Sequence, residues 1–268
     1  MRLEVTLLGT GTSVGVPVIG CGCAVCTSDD PRDARTRTSA HVTAHTPAGP
    51  VHLQIDAGPD FRRQALAHGV TEVDALLVTH AHFDHVMGLD DLRPFFFRDR
   101  SPIPVVTEAR TAETLAEMFA YIFRDGTYPG VSRLELQPVP PGAPIAVASR
   151  TRPEASVEVT PVPVYHGSAR ILGWRIGALA YLTDVSRVPE GSFALLDGVE
   201  VLVLDGLRPE PHPTHLSFGE AAEVAARVGA RETWLIHMTH NVLHEDANAM
   251  LPEGVRLAYD GLRLQVGA

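Results

Sequence analysis

The 268-residue sequence contains no lysine, so arginine supplies all 22 of its basic side chains. Against 32 acidic residues this leaves a formal net charge of −10, with no basic cluster anywhere along the chain. Such a balance argues against tight, nonspecific binding of large nucleic acids, which needs cations arrayed against phosphates. Aromatic residues are few, at 6%, and no apolar run reaches the roughly 20 residues that span a bilayer. The opening residues Met1-Arg2-Leu3-Glu4-Val5 lack the apolar centre of a secretory signal. The expected compartment is therefore the cytoplasm, with no membrane partner. Only three cysteines occur, all between positions 21 and 26, and in a reducing compartment that crowding points to metal before disulfide.

What is present is a globular composition, 45% hydrophobic and 20% charged, with no low-complexity tail and no fixed-period repeat. Residues 1–268 are read as a single domain with ample core. The most informative stretch is Val78-Thr79-His80-Ala81-His82-Phe83-Asp84-His85. Four side chains with metal-ligand chemistry fall within six positions, directly after the apolar run Ala75–Val78, which reads as a buried strand. Imidazoles suit zinc, iron, manganese and nickel, and the carboxylate biases part of the site toward harder divalent cations. A histidine-rich surface loop would rarely show this spacing.

The N-terminal strand Glu4–Leu8 runs into Gly9-Thr-Gly11-Thr-Ser-Val-Gly15. That spacing is one residue too long for a dinucleotide-binding turn, and Pro17 follows where a helix should start, so a tight turn with close backbone approach is expected. Cys21, Cys23 and Cys26 then gather three thiolates in one loop, needing a fourth ligand to close a tetrahedral structural zinc. His240 and His244 are both candidates for it. Further on, Ser39–Ala44 and Val51–Ile55 read as a hairpin, Phe61–His68 as a helix, and a second helix is expected to begin at Val86. Asp90 and Asp91 would be solvated acids of its first turn. Helical spacing covers Thr111–Phe123, while residues 126–153 read as Pro/Gly-rich connection holding one short strand, Leu134–Leu136. Ser217 and Glu220 have capping-box spacing before the helix Ala221–Val228. At the C-terminus, Val255–Tyr259 and Leu262–Val266 flank Asp260-Gly261, the signature of a hairpin.

One pattern recurs without sequence repetition: apolar strands end in chemistry. After the first cluster come His166 behind Val157–Val164, Asp184 behind Ala178–Leu182, and His237 behind Thr233–Ile236. Strand ends collected at one sheet edge are where α/β folds place their sites. Seven ligands are enough for a pair of divalent ions with one bridging carboxylate and a hydroxide between them as nucleophile. Asp56, at the end of another strand, is either a turn former or a carboxylate that orients a metal-bound histidine from behind. No clear phosphate clamp is visible; Arg93 and Ser186 are more economically read as structural.

The set His80-x-His82-x-Asp84-His85, then His166, Asp184 and His237 in that order, resembles the metallo-β-lactamase superfamily over essentially the whole chain. The resemblance implies an α/β, four-layer αββα sandwich: two mixed sheets face to face, with helices on the outer faces. It also implies that His80, His82 and His166 hold one ion, that Asp84, His85 and His237 hold the other, that Asp184 bridges, and that Asp56 is the first-motif aspartate. An aspartate at position 184, where true β-lactamases commonly have cysteine, is similar to the phosphodiesterase and hydroxyacyl-thioester hydrolase branches. The opening Gly-Thr-Gly-Thr-Ser-x-Gly-Val-Pro, the three cysteines and His237-x-x-His240 resemble the PhnP family, cyclic phosphodiesterases of bacterial phosphonate breakdown. In that family three cysteines and the second histidine of the pair hold a structural zinc, which nominates His240, and His215 matches the catalytic histidine. The activity so implied is metal-dependent hydrolysis of a small cyclic phosphodiester such as 5-phosphoribosyl 1,2-cyclic phosphate. Two active-site ions, manganese or zinc, and self-association as a homodimer come with it. Asp84 would then both ligate a metal and orient the nucleophile. The competing readings are a cyclic-nucleotide or RNA-end phosphodiesterase, and a PqqB-like protein that uses the fold for binding or cofactor-pathway chemistry.

Overall fold

Alternation along the strands decides the layering. In β1 (Arg2–Gly9), Leu3, Val5 and Leu7 point one way and Glu4 and Thr6 the other. The computed structural model describes residues 1–124 and 130–267. In chain order there follow β2 (Ser39–Thr46), β3 (Gly49–Ile55), α1 (Phe61–His68), β4 (Ala75–Leu77), α2 (Phe83–Val86), α3 (Arg93–Asp99), β5 (Ile103–Thr107), α4 (Ala109–Met118), α5 (Ala120–Phe123) and β6 (Leu134–Pro138). The second half holds β7 (Ile145–Ala148), β8 (Ser156–His166), β9 (Ala169–Ile176), β10 (Leu179–Leu182), α6 (Glu190–Phe193), β11 (Val201–Asp205), α7 (Phe218–Val228), β12 (Glu232–Ile236), α8 (His244–Met250), β13 (Val255–Leu257) and β14 (Arg263–Val266).

These strands form two seven-stranded mixed sheets, ordered β14-β1-β2-β3-β4-β5-β6 and β13-β12-β11-β10-β9-β8-β7. Their inner faces share one core, in which Leu3, Val42, Leu53 and Leu77 meet Val159, Trp174, Tyr181 and Val203. Strands buried on both faces split their residues between cores. Val201 and Val203 of β11 face the sandwich interior, whereas Leu202 and Leu204 pack outward with Phe218, Ala221 and Ala225 of α7. On the other side Leu76 and Val105 face Phe61, Phe95 and Leu115 of α1, α3 and α4. The result is the αββα sandwich of the metallo-β-lactamase fold. No helix among the described residues is long and apolar enough to cross a membrane.

Four local expectations change. Helix begins at Phe83, inside the histidine motif, not at Val86; Asp90 and Asp91 sit in a separate 3-10 turn over Leu89–Leu92. The Thr111–Phe123 helix is broken at Phe119, whose φ of −113° and ψ of 41° leave helical geometry, so two helices replace one. The proline-rich segment after position 130 carries a second strand, β7, recruited by antiparallel pairing with β8; the part at 126–129 lies outside the described residues. The C-terminal hairpin is absent. Val255–Leu257 runs parallel to β12 in the second sheet, and Arg263–Val266 runs antiparallel to β1 in the first.

The physical reason lies in Asp260. Its carboxylate accepts from the Thr10 amide and hydroxyl at 2.9 and 2.8 Å, and from the Thr36 amide and hydroxyl at 2.7 and 2.6 Å. Leu7 and Gly261 then exchange backbone bonds with the same stretch, Gly261 N–H donating to the Leu7 carbonyl at 2.7 Å. The turn is thereby used to cross between sheets. Gly9 permits the crowding, because a Cβ there would lie 2.0 Å from the Arg37 carbonyl oxygen. Asp260→Ala should lower the unfolding free energy by about 2–4 kcal/mol, since two of its four donors are backbone amides left unpaired. A urea midpoint equal to wild type would refute this account of the crossing.

Candidate metal centre

Within each sheet, β3, β4, β10, β11 and β12 pair in parallel. Their carboxyl ends meet at one edge of the sandwich, where Asp56, His80, Asp184, Asp205 and His237 stand. Three of these residues, Asp56, Asp184 and His237, have φ of 53°, 57° and 63°. Only one other non-glycine residue among the described residues, Arg100, is in this region. Left-handed backbone at a non-glycine position costs about 1–3 kcal/mol, so the surrounding structure must hold each one there. For Asp56 the restraint is visible. Its Oδ1 accepts from the Thr79 amide and its Oδ2 from the Thr79 hydroxyl, both at 2.8 Å, and Oδ2 also meets His85 Nδ1 at 2.7 Å.

The histidine motif packs directly on the turn after Asp56. A Cβ on Gly58 would lie 1.9 Å from the Asp84 carbonyl oxygen, and the Ala57 amide donates to the His85 carbonyl at 2.8 Å. With Nδ1 of His85 committed to Asp56, its Nε2 faces Asp84 and Asp184, each at 3.2 Å. His237 Nε2 stands 3.3 Å from Asp184 and 3.6 Å from Asp84. These four residues place one ligand atom each within 4.8 Å of one another. A second group, His80, His82 and Asp184, does the same, so Asp184 belongs to both. His166 joins Asp184 and His215 in a third group, and its ring lies 5.2 and 5.7 Å from those of His82 and His80.

The Nε2 atoms of His80, His85 and His237 are buried without a hydrogen-bond partner, although carboxylate oxygens lie 3.2–4.0 Å away. Orphaned imidazole nitrogens converging on shared carboxylates are what divalent cations would satisfy, and the N/O donor set fits zinc or manganese. Electrostatics point the same way for Asp184 and His80, whereas on His85 and His237 burial is outweighed by the neighbouring Asp184, which raises both. Burial opposes charge on Asp184, yet His237 and His85 beside it hold the carboxyl well below its usual range. Burial likewise keeps His80 far below an ordinary imidazole, hence neutral and able to ligate.

A second cluster closes the N-terminal loop. The Cys21, Cys23 and Cys26 sulfurs lie 3.4, 3.3 and 3.3 Å from His240 Nδ1. Tetrahedral zinc with bonds of about 2.3 Å to sulfur and 2.0 Å to nitrogen spans roughly 3.5 Å between such atoms, so the geometry fits. His244 is elsewhere, its amide donating to Asp33 at 2.8 Å. The Cys26 amide on the Cys23 sulfur lowers that thiol to about 6. The loop is tied to the main cluster through Arg35, which donates to the Thr239 carbonyl at 3.1 Å and pairs with Asp33 at 3.1 Å. Thr239 lies between His237 and His240.

His215 stands at the edge of both metal groups, its ring 4.7 Å from that of His166 and stacked 4.8 Å from that of His237. Its Nδ1 lies 3.3 Å from Asp205, which also accepts from the Leu216 amide at 3.0 Å. Sequence reasoning missed Asp205, although it ends an apolar strand just as Asp56 and Asp184 do. Neither Arg93 nor Ser186 is shown as a clamp: Arg93 pairs with Asp90, and the Ser186 hydroxyl accepts from the Gly167 amide and donates to the Tyr165 carbonyl, both at 2.9 Å.

Comparison with known proteins gives a consistent frame with discordant names. Residues 52–238 match the model of the beta-lactamase superfamily domain. The crystal structure of a diphosphatase from the PhnP family superposes with a TM-score of 0.87 at 40% identity, covering 99% of this chain and 98% of that one. A protein of Porphyromonas gingivalis named octanoyltransferase is 40% identical over 258 residues, 96% of this chain; the chain spans only 50% of that relative's length. Coenzyme PQQ synthesis protein B of Methylobacterium nodulans is 32% identical over 226 residues, 76% of this chain and 73% of the relative.

Two expectations follow from the geometry. Cys23→Ser should lose one zinc per chain by elemental analysis and melt earlier, while the remaining metal content persists; full retention of metal would contradict the tetrahedral reading. Asp56→Ala should weaken metal affinity at the main cluster by about 10- to 100-fold, because His85 loses the carboxylate that orients it. Competition with a chromogenic chelator measures this, and unchanged affinity would remove Asp56 from the design.

Proposed function

Because this chain belongs to the beta-lactamase superfamily, whose fold is that of metal-dependent hydrolases, we propose that it is a phosphodiesterase acting on a small cyclic phosphodiester such as 5-phosphoribosyl 1,2-cyclic phosphate. The observation that carries the reading is the position of the His215–Asp205 pair beside two ligand groups that share Asp184. In this reading His80, His82 and His166 would hold one divalent ion, Asp84, His85 and His237 would hold the other, and Asp184, which belongs to both groups, would serve both. Bound there, two cations supply the lowered pKa of water and the charge neutralisation that in-line displacement at phosphorus requires.

The protein's own residues do the rest. Asp84 accepts a hydrogen bond from the attacking water and so aims its lone pair at phosphorus. As the oxygen–phosphorus bond forms and the ring ester bond opens, the departing alkoxide needs a proton. His215 faces the site with Nε2, since Nδ1 is occupied by Asp205, and it gives that proton from its imidazolium form. Asp205 fixes the orientation of the ring through Nδ1 and balances its charge. Asp56 and Thr79 fix His85 and His80 from behind, the Thr79 hydroxyl lying 3.0 Å from His80 Nδ1. Burial of Asp184, His85 and His237 keeps bulk water off the ligands.

A second reading, cleavage of a diphosphate, is favoured by the similarity to a PhnP-family diphosphatase and uses the same displacement at phosphorus. The octanoyl-transfer name attaches to a protein twice this length, and all three thiols of this chain gather on His240, leaving none around Asp184 to carry an acyl group. Cyclic-nucleotide and RNA-end substrates keep the mechanism and change only what the rim admits. A PqqB-like binding role leaves the His215–Asp205 pair without a task.

Metal-loaded protein assayed with bis(p-nitrophenyl) phosphate, then with cyclic phosphates and diphosphate esters, tests the class. Chelation should abolish turnover and added manganese or zinc restore it. His215→Ala should retain its metals while losing about 10²- to 10⁴-fold in kcat. Thioester or lactam hydrolysis without any phosphodiesterase activity would overturn the reading.

A further inference from the structure

Thr214 stands where the loop over residues 206–217, between β11 and α7, meets the candidate metal ligands. Its carbonyl accepts from His166 Nδ1 at 2.9 Å. A carbonyl cannot donate, so the His166 proton sits on Nδ1 and the Nε2 lone pair is left free to ligate. The next residue is His215, whose ring lies 4.7 Å from that of His166. One backbone unit therefore orients a candidate ligand through its oxygen and carries the proposed proton donor as its neighbour. The turn after β8 closes on the same residue from the other side. Gly167 there has φ of 58°, and a Cβ on it would lie 3.1 Å from the Thr214 methyl.

What fixes Thr214 is His212. The Thr214 amide donates to His212 Nδ1 at 3.4 Å, and the Thr214 hydroxyl reaches the same nitrogen at 3.2 Å. An amide can only donate, so Nδ1 is the acceptor and the ring is held as the Nε2–H tautomer. A side-chain acceptor closing on the amide two residues later is the geometry of an Asx turn, with imidazole Nδ1 in the place of an asparagine Oδ1. Both atoms are bonded to Cγ, so the two side chains can close the same turn. Pro213 between them limits the backbone freedom of the turn further. The feet of the loop are closed separately, by the Leu207 amide on the Leu216 carbonyl at 2.9 Å and the Phe218 amide on the Arg208 carbonyl at 3.0 Å. Those bonds set where the loop leaves and rejoins the body, and they leave the direction of the Thr214 carbonyl to His212.

We propose that His212 is a positioning residue: by holding Thr214 it keeps His166 oriented toward the metal and His215 set beside it, so that one turn couples ligand and proton donor. This rests on the reading of the cluster as a hydrolytic metal centre and deepens it. His212 acts through Thr214 and not on the reacting atoms. With its ring removed, the Thr214 amide and hydroxyl turn to water, the carbonyl loses its fixed direction, and His166 and His215 shift together. Asp205 does not compensate, because it meets the His215 ring at Nδ1, 3.3 Å away, and has no bond to Thr214.

The test compares His212→Ala, His212→Gln and His212→Asn with wild type. Competition with a chromogenic chelator gives metal affinity, and bis(p-nitrophenyl) phosphate at saturating manganese gives kcat and KM. His212→Ala should bind metal at the main cluster about 10-fold more weakly, the low end of the range for groups that orient a ligating histidine, while metal at the cysteine cluster is retained. At saturating metal its kcat should fall by about 10- to 100-fold with KM little changed, the usual effect of displacing a catalytic group by about 1 Å. His212→Asn should restore most of both, because its Oδ1 accepts from the Thr214 amide. His212→Gln, one methylene longer, should not, and it keeps the test decisive if the alanine variant does not fold. Wild-type affinity in the alanine and glutamine variants, or an asparagine variant as weak as they are, overturns the positioning role. So does a wild-type kcat in the alanine variant of an active enzyme. If wild type hydrolyses no phosphodiester but asparagine alone restores metal affinity, the positioning role stands and the phosphodiesterase reading falls.

Discussion

Four carboxylates, Asp56, Asp84, Asp184 and Asp205, are packed with His80, His85, His215 and His237 at the carboxyl edge of the two sheets, and no residue of the group tolerates burial alone. An uncompensated buried charge costs several kcal/mol, so each acid is stable only with the imidazoles around it and, for Asp56 and Asp205, the donors of Thr79 and Leu216. Asp184 is the pivot. It approaches His85 and His237 at 3.2 and 3.3 Å and His80 at 4.0 Å, so the three rings are held toward a common carboxylate. Divalent metal bound there would complete the balance, because ligation would take up the orphaned nitrogens and neutralise the acids in one event. Left-handed backbone at Asp56, Asp184 and His237 puts three of the strained positions of the chain at this same edge.

The cysteine cluster is mechanically part of this arrangement. Its loop is stitched to the end of β12 by Thr12, whose amide donates to the Met238 carbonyl at 3.1 Å, and by the Met238 amide, which donates to the Thr10 carbonyl at 3.0 Å. Arg35, only 2% exposed, adds a third tie through Thr239. His237 is therefore held between the second sheet on one side and the N-terminal loop on the other. Asp260 secures the far end of that loop through Thr10 and Thr36. A structural zinc at His240 would stiffen the segment that carries a ligand of the main centre, three residues away.

Much of this was legible from residue order. The histidine motif, the acids and histidines closing apolar strands, and the Ser217–Glu220 cap all depend on local chemistry, and local chemistry is what a single sequence displays. The failures share a cause. Asp260-Gly261 has the composition of a hairpin turn, but its carboxylate is claimed by threonines more than 220 positions distant, and those bonds outweigh the turn preference. β7 lacks a strong strand pattern and exists because β8 offers it a partner edge. The choice between His240 and His244 could not be made on spacing, since both follow His237 closely; it is made by which ring meets three sulfurs. Asp205 was passed over because its partner is ten residues further on, across a loop whose closure only the fold reveals.

The ligands sit on strand ends braced by both sheets, and substitution there would dismantle the metal centre, so that part of the molecule has little freedom to specialise. The loop over 206–217 is different: its feet are pinned by two backbone bonds and its tip is free to vary in length, charge and hydrogen bonding. It also supplies His215, whose ring lies 4.7 Å from that of His166 and 4.8 Å from that of His237, so the foot of the loop is set directly beside the ligand groups. The side chains at its tip can therefore change while the strand-end residues of the ligand groups stay where both sheets hold them.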